Sequence, residues 1–161
     1  MASIINVDKV RATGSTTDGL VVDSSGRVQL PQTPAFFARA ATLYSQTGII
    51  KYNDVTNTGC FNQGGHYSTS TYKFTAPVDG IYSFSNQVYS EGATLIQLFF
   101  YINTDVVAGS QENAGTDDNY EGISLPVTVQ LSASDTVYYS TSTTTHHTNS
   151  GYSFFCGHLV G

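Results

Sequence analysis

Asn62-Gln63-Gly64-Gly65-His66-Tyr67, then Lys73-Phe74-Thr75-Ala76-Pro77-Val78-Asp79-Gly80-Ile81-Tyr82-Ser83-Phe84, is the stretch on which the fold turns. Tyr82 and Phe84 alternate with Ser83 and Ser85, a period of two that puts both rings on one face of a strand. That face is expected to be core. Phe74 ends a preceding strand, and Ala76-Pro77-Val78-Asp79-Gly80 supplies the turn, because proline cannot donate to a ladder and glycine tolerates a tight backbone. The Gly64-Gly65 pair reads as another turn, placed just before Tyr67.

Composition agrees with a β-sandwich. A chain of 161 residues suits one well-packed head domain. Nine Phe and eleven Tyr occur with no Trp, Ser, Thr, Val and Gly are abundant, and no long helical period is present; this is a β composition. The formal charge is −6, and the six Lys and Arg all stand at or before Lys73. A surface with that balance repels phosphate backbones, which excludes nucleic-acid binding through a basic patch. No apolar run approaches the twenty residues of a membrane span, and Met1-Ala2-Ser3-Ile4-Ile5 lacks the basic start and long apolar core of a secretory signal, so a protein made and kept in a cytosol is expected. Cys60 and Cys156 carry neither metal-ligand nor redox spacing, and reduced thiols are expected in that compartment.

The spacing of Asn62, Tyr67, Phe74, Gly80, Tyr82 and Phe84 resembles the signature of the C1q/TNF-like jelly-roll heads. Two positions depart from it: Asn86 stands where the family has a final aromatic, and Tyr52 takes the place of an upstream Phe, implying a short insertion in the Asn57–Gly64 loop. Pro34-Ala35-Phe36-Phe37-Ala38-Arg39 is similar to the family's opening strand, and Ser153-Phe154-Phe155-Cys156-Gly157-His158-Leu159 to its closing one. Leu131-Ser132-Ala133-Ser134-Asp135-Thr136-Val137 resembles the strand carrying a Gly-Asp-x-Val pattern, with Ser134 replacing the glycine. The resemblance implies an all-β, C1q-like jelly-roll β-sandwich over residues 34–161 and assembly as a homotrimer. Thr94–Ile102, the most apolar run, reads as a central strand covered on both faces, and by the resemblance Leu98, Phe99, Phe100 and Tyr101 would pack around the trimer axis.

Residues 1–33 differ in character. Leu20-Val21-Val22 and Arg27-Val28 around Asp23-Ser24-Ser25-Gly26 read as two short strands and a turn. Such a ribbon is marginal alone, so Ile4, Ile5, Val7, Leu20, Val21 and Val22 are expected to attach the chain to something larger. Pro31 and Pro34 bracket a stiff connector. The segment Gly19-Leu20-Val21-Val22-Asp23-Ser24-Ser25-Gly26-Arg27-Val28 resembles the amino-terminal part of small structural proteins of tailed, particularly marine, bacteriophages. That resemblance implies a virion protein, assembled in the host bacterial cytoplasm, whose arm grips capsid or tail proteins.

Candidate sites are few. Asp117-Asp118-Asn119-x-Glu121 offers oxygens to Ca²⁺ but lacks EF-hand spacing, and a solvated acidic loop within a polar Asn103–Glu121 segment explains it better. His146-His147 could bind a metal or gather on a threefold axis, although neighbouring strand residues point to opposite faces. Thr141–Ser150 reads as a hydroxyl-rich hairpin tip, and its Thr141, Thr144, His146, His147 and Asn149, with the Asn57–Gly65 and Thr104–Tyr120 regions, would face a host glycan or protein. His66 and His158 are expected to be structural. No catalytic signature occurs, so no enzyme and no cofactor is expected. The alternative reading is a soluble C1q-like recognition module of lectin-like or cytokine-like type.

Overall fold

The computed structural model describes residues 7–41, 45–91, 95–113, 120–146 and 151–161, with backbone alone at 45–46, 91, 120 and 143–146. The chain divides into two compact units, Met1–Thr33 and Pro34–Gly161.

The first unit is a three-stranded antiparallel sheet, one strand more than the sequence suggests. Its strands are β1 (Lys9–Val10), β2 (Leu20–Val22) and β3 (Val28–Gln29), with β2 in the centre. Asp23 builds the β2–β3 turn, accepting hydrogen bonds from the Ser25 and Arg27 amides at 2.9 and 3.0 Å and pairing with Arg27 Nε at 2.8 Å, while Gly26 takes φ +78°. Val10 faces Leu20 and Val22 faces Val28 across the ladder. These four side chains therefore share one face, and Lys9, Val21 and Gln29 share the other.

Twelve strands form the second unit: β4 (Ala35–Arg39), β5 (Ser45–Ile49), β6 (Phe61–Gln63), β7 (Tyr67–Ser68), β8 (Lys73–Thr75), β9 (Gly80–Glu91), β10 (Ile96–Ile102), β11 (Asp105–Glu112), β12 (Tyr120–Ser124), β13 (Val127–Leu131), β14 (Thr136–His146) and β15 (Phe154–Leu159). They make two antiparallel sheets of a jelly-roll sandwich. The first has the order β12-β9-β15-β4-β6, with β13 also on β9; the second has the order β11-β10-β14-β8-β7, with β5 also on β14. Between the sheets lie Phe36, Phe74, Tyr82, Phe84, Phe100, Tyr139 and Phe155, all at most 1 % exposed, and mostly in tilted or edge-on ring contact with one another.

The turn reading of 62–84 needs one amendment. Gly64 and Gly65 do adopt φ +81° and +75°, and Asn62 holds that turn closed: its amide donates to the Tyr67 carbonyl at 2.8 Å and accepts the Tyr67 amide at 3.1 Å. Gly80, by contrast, lies in the first position of β9 with ordinary strand backbone. A Cβ there would come within 2.6 Å of the end of the Leu159 side chain and 3.3 Å of the Gly161 carbonyl oxygen.

Asn86, the departure from the aromatic pattern, is fully buried. It lies where the partner of β9 changes from β12 to β13, opposite Leu125-Pro126. Proline cannot donate there, and Asn86 Oδ1 accepts the Leu125 amide at 3.0 Å in place of the interrupted ladder. Tyr52 and Tyr139 extend the polar group: Asn86 donates to the Tyr52 hydroxyl at 3.4 Å, and the Tyr139 hydroxyl donates to the Leu125 carbonyl. Burial holds the Tyr52 and Tyr139 phenols well above the usual tyrosine range.

The segment after Tyr52 folds on Asp54. This carboxylate, 6 % exposed, accepts hydrogen bonds from Asn57 and Thr56, chiefly from the Asn57 side chain, and these hold its pKa far below the ordinary carboxylate value. Arg39 lies 3.5 Å away.

Ser134 adopts φ +77°, the left-handed conformation that explains the glycine of the Gly-Asp-x-Val pattern. A side chain there costs about 1–2 kcal/mol, against about 0.5–1 kcal/mol for the extra unfolded freedom of glycine. Ser134→Gly is therefore expected to raise stability by about 0.5–1 kcal/mol, seen as a higher urea midpoint at unchanged slope. A lower midpoint would mean that the serine hydroxyl contributes more than the backbone strain costs.

Candidate interaction surfaces

Four aromatic doublets organise the surface. In a strand, neighbours point to opposite faces, so each doublet sends one ring inward and one outward. Phe36, Phe100, Tyr139 and Phe155 are buried, whereas Phe37, Phe99, Tyr138 and Phe154 are half-buried on the outside. The outward rings form two separate patches.

On the β12-β9-β15-β4-β6 sheet, Phe37 and Phe154 stack at 5.2 Å with their planes 18° apart. Phe61 stands opposite Phe37 on β6 and is 46 % exposed. Cys156 lies between Phe37 and Ser85 on this face, its thiol pKa raised by burial. Neither Cys156 nor Cys60 is bridged. His158 continues the face and is exposed, not enclosed in the fold. This Phe37–Phe154–Phe61 patch was not singled out from the sequence, although the doublets Phe36-Phe37 and Phe154-Phe155 announce it.

On the other sheet, Tyr101 and Tyr138 stack at 4.9 Å with planes 6° apart, and Lys73 Nζ lies 4.4 Å from the centre of the Tyr138 ring. Burial, and then the neighbouring Tyr101, push the Tyr138 phenol up. Phe99 follows on the same face. Of the four β10 residues expected at a trimer axis, Leu98 and Phe100 are corrected by their place in the core. Leu98 and Phe100 are 0 % exposed inside a single sandwich and offer no surface; only Phe99 and Tyr101 face outward.

The loop readings change too. Asp105–Glu112 is the edge strand β11, joined to β10 through Asn103-Thr104, and a register shift between Phe100 and Tyr101 bends the pair. Strand β14 continues to His146, with Thr141, Thr145 and His146 paired to Gly48, Gln46 and Ser45 of β5 across a register shift between Thr141 and Thr145, so the hairpin-tip reading of this part gives way to strand. Thr141 is 2 % exposed, which removes it from any receptor-facing surface. For Thr144 and His146 only the strand backbone is described; His147 and Asn149 lie outside the described residues, as do Ile4, Ile5, Asp117, Asp118 and Asn119. Among the described residues no three His, Cys, Asp or Glu side chains gather to hold a metal, and no helix is long and apolar enough to cross a membrane.

Strand polarity separates the two ends of the sandwich. Pro34, Leu159 and Ile81 meet at one pole, where the Leu159 amide donates to the Pro34 carbonyl at 3.0 Å and the Ile81 amide to the Gly161 carbonyl at 2.8 Å. Asn103 also lies there, bonded to Thr136 and Asp135. At the opposite pole Glu91 faces Tyr120, Ile96 faces Glu112 and His146 faces Ser45. The connections beyond Glu112 and His146 therefore leave together, while Thr104 and the Gly64-Gly65 turn are at the Pro34 pole. In the first unit, Val7, Val10, Val28 and Leu30 are 47–62 % exposed, and Val21 points away from Leu20 and Val22.

Among solved structures, the tumour-necrosis-factor protein Eiger from S. frugiperda superposes with a TM-score of 0.59 at 11 % identity, over 80 % of this chain and 92 % of that one. The likeness is one of fold. In sequence, residues 35–160 match the C1q domain. The chain thus belongs to the C1q domain family, with residues 35–160 forming the jelly-roll head.

Proposed function

We propose that the protein is a non-enzymatic, homotrimeric knob of a bacteriophage particle, fixed to capsid or tail proteins through residues 1–33 and presenting the far pole of its C1q head to a host surface. The observation that carries this reading is the polarity of the head. The chain enters at Pro34, and the connections after Glu112 and His146 leave at the other pole, so tethering and display use opposite ends. The exposed Val10–Leu20–Val22–Val28 face supplies the apolar surface for attachment. Trimer formation is assigned to the Phe37–Phe154–Phe61 patch, where three rings without a polar atom share one sheet face; burying them also shields the short edge strand β6.

The test has two arms. Light scattering on the purified chain at micromolar concentration is expected to give a trimer, and Phe37→Asp a folded monomer, since a carboxylate in a buried apolar contact costs several kcal/mol. A wild-type monomer would end the knob reading. A Phe37→Asp trimer would move the contact to another face. Separately, residues 34–161 alone are expected to fold but not to join particles, and incorporation of that truncated head would refute attachment by the arm.

A further inference from the structure

Phe99 lies in an environment distinct from the Tyr101–Tyr138 stack beside it. Its ring leans across β11 onto Gly109, where an added Cβ would sit 3.2 Å from Phe99 Cδ1 and 3.4 Å from Cε1. Gln97 and Gln111, directly opposite each other on the same face, flank it. Ser142 donates to Gln97 Oε1, and Gln97 Nε2 donates to Gln111 Oε1 at 3.5 Å. This relay leaves the Gln111 amide nitrogen as a donor at one end and the Ser142 oxygen as an acceptor at the other.

Together Gln97, Phe99, Gly109, Ser110 and Gln111 line a shallow depression of about 170 Å³. Pockets that engulf a drug-sized molecule run to ~300–1,000 Å³, so this one suits a ligand lying across the sheet. None of its lining residues is charged, on a chain of net charge −6. A cationic ligand would find no counter-charge here, and an anionic one would meet an overall repulsive field.

From these features we infer that the depression is a binding site for a neutral saccharide. An apolar pyranose face stacks on Phe99, and adjacent hydroxyls exchange hydrogen bonds with the Gln97 and Gln111 amides and Ser142. The carbon-bound hydrogens of a sugar ring match an aromatic face, while planar amides match paired hydroxyls that would otherwise stay hydrated. Gly109 is the positioning residue, because a Cβ there would stand 3.2 Å from the ring and oblige it to shift by a few tenths of an ångström. The inference does not depend on the phage assignment, since binding is read on the purified chain. In a trimer the site would occur three times, so a repeating polysaccharide would gain avidity.

The test is an array of neutral oligosaccharides of glucose, galactose, mannose and N-acetylglucosamine beside sialylated and sulfated ones, followed by calorimetric titration of the bound sugars. Neutral sugars are expected to bind. Phe99→Ala is expected to weaken them roughly tenfold or more, and Gly109→Ala and the exposed Gln111→Ala several-fold, with oligomeric state unchanged by light scattering. Gln111→Ala serves where a variant at Phe99 fails to fold. Binding only to anionic sugars, binding indifferent to Gln111→Ala and Gly109→Ala, or no binding at millimolar sugar would each overturn the site. A Phe99→Ala variant that changes oligomeric state would make the patch a subunit contact instead.

Discussion

Phe84→Ala is expected to destabilise the head by about 3–5 kcal/mol. Phe84 is 1 % exposed, and its ring centre lies 5.5–6.2 Å from those of Phe74, Tyr82, Phe100 and Phe155. Those neighbours belong to both sheets, so deletion opens a cavity at the seam of the sandwich and not at one wall. A domain of this size is held by about 5–15 kcal/mol in all, so the variant would retain a small margin at best. Because the chain has no Trp, the measurement is denaturant unfolding followed by tyrosine fluorescence and far-ultraviolet circular dichroism. A cost below about 1 kcal/mol, well short of a Phe→Ala core change, would show that Phe84 does not bridge the sheets.

Gly157→Ala approaches the same seam from the opposite direction. Gly157 lies in the middle of β15, directly across from Phe84 on β9 and Phe36 on β4. An added Cβ would come within 2.6 Å of Phe84 Cε1, nearer still to Cδ1, and within 3.1 Å of Phe36 Cε1. Both rings are enclosed and cannot swing into solvent, so one methyl must displace the aromatic core at a cost of about 1–3 kcal/mol or more. A double-mutant cycle separates this clash from a loss of strand propensity. In a Phe84→Leu background, Gly157→Ala is expected to cost measurably less, because the obstructing ring is gone. Strict additivity would place the strain in the backbone of β15.

Much of this was legible in the sequence. The alternation of Tyr82 and Phe84, the Gly64-Gly65 turn and the order of aromatic motifs from Phe36 to Phe155 led to the sandwich, because spacing along a strand fixes which face a side chain takes. Ser134 was visible as a missing glycine, although only the backbone angle shows what the glycine would relieve. Asn86 was visible as a missing aromatic, but its reason lies in Leu125-Pro126, thirty-nine positions away, and sequence order does not reveal that neighbour. The surface was read less well for a different cause. Leu98 to Tyr101 were treated as a block of apolar residues, whereas the period of two divides them between a dry interior and an outer face. Thr141 was placed at a tip because hydroxyl-rich tracts resemble loops; β14 instead runs on through it, and β5 supplies the ladder that holds it there. The outward Phe37 and Phe154 were overlooked because an adjacent aromatic pair looks like core until its two members are assigned separately.

The hydrogen bond from Leu159 to Pro34 also has a mechanical consequence. Adjacent antiparallel strands pulled from the same pole, at Pro34 and Gly161, open like a zip, with each ladder bond loaded in turn. A pull between Pro34 and the opposite pole runs along β4, whose bonds to β15 and β6 stand perpendicular to the force and share it. Single-molecule stretching is therefore expected to give the higher rupture force in the second geometry, and equal forces would mean that β4 is not the resisting strand. A knob tethered at Pro34 and gripped at its far pole would be loaded in shear, the direction in which its fold resists most.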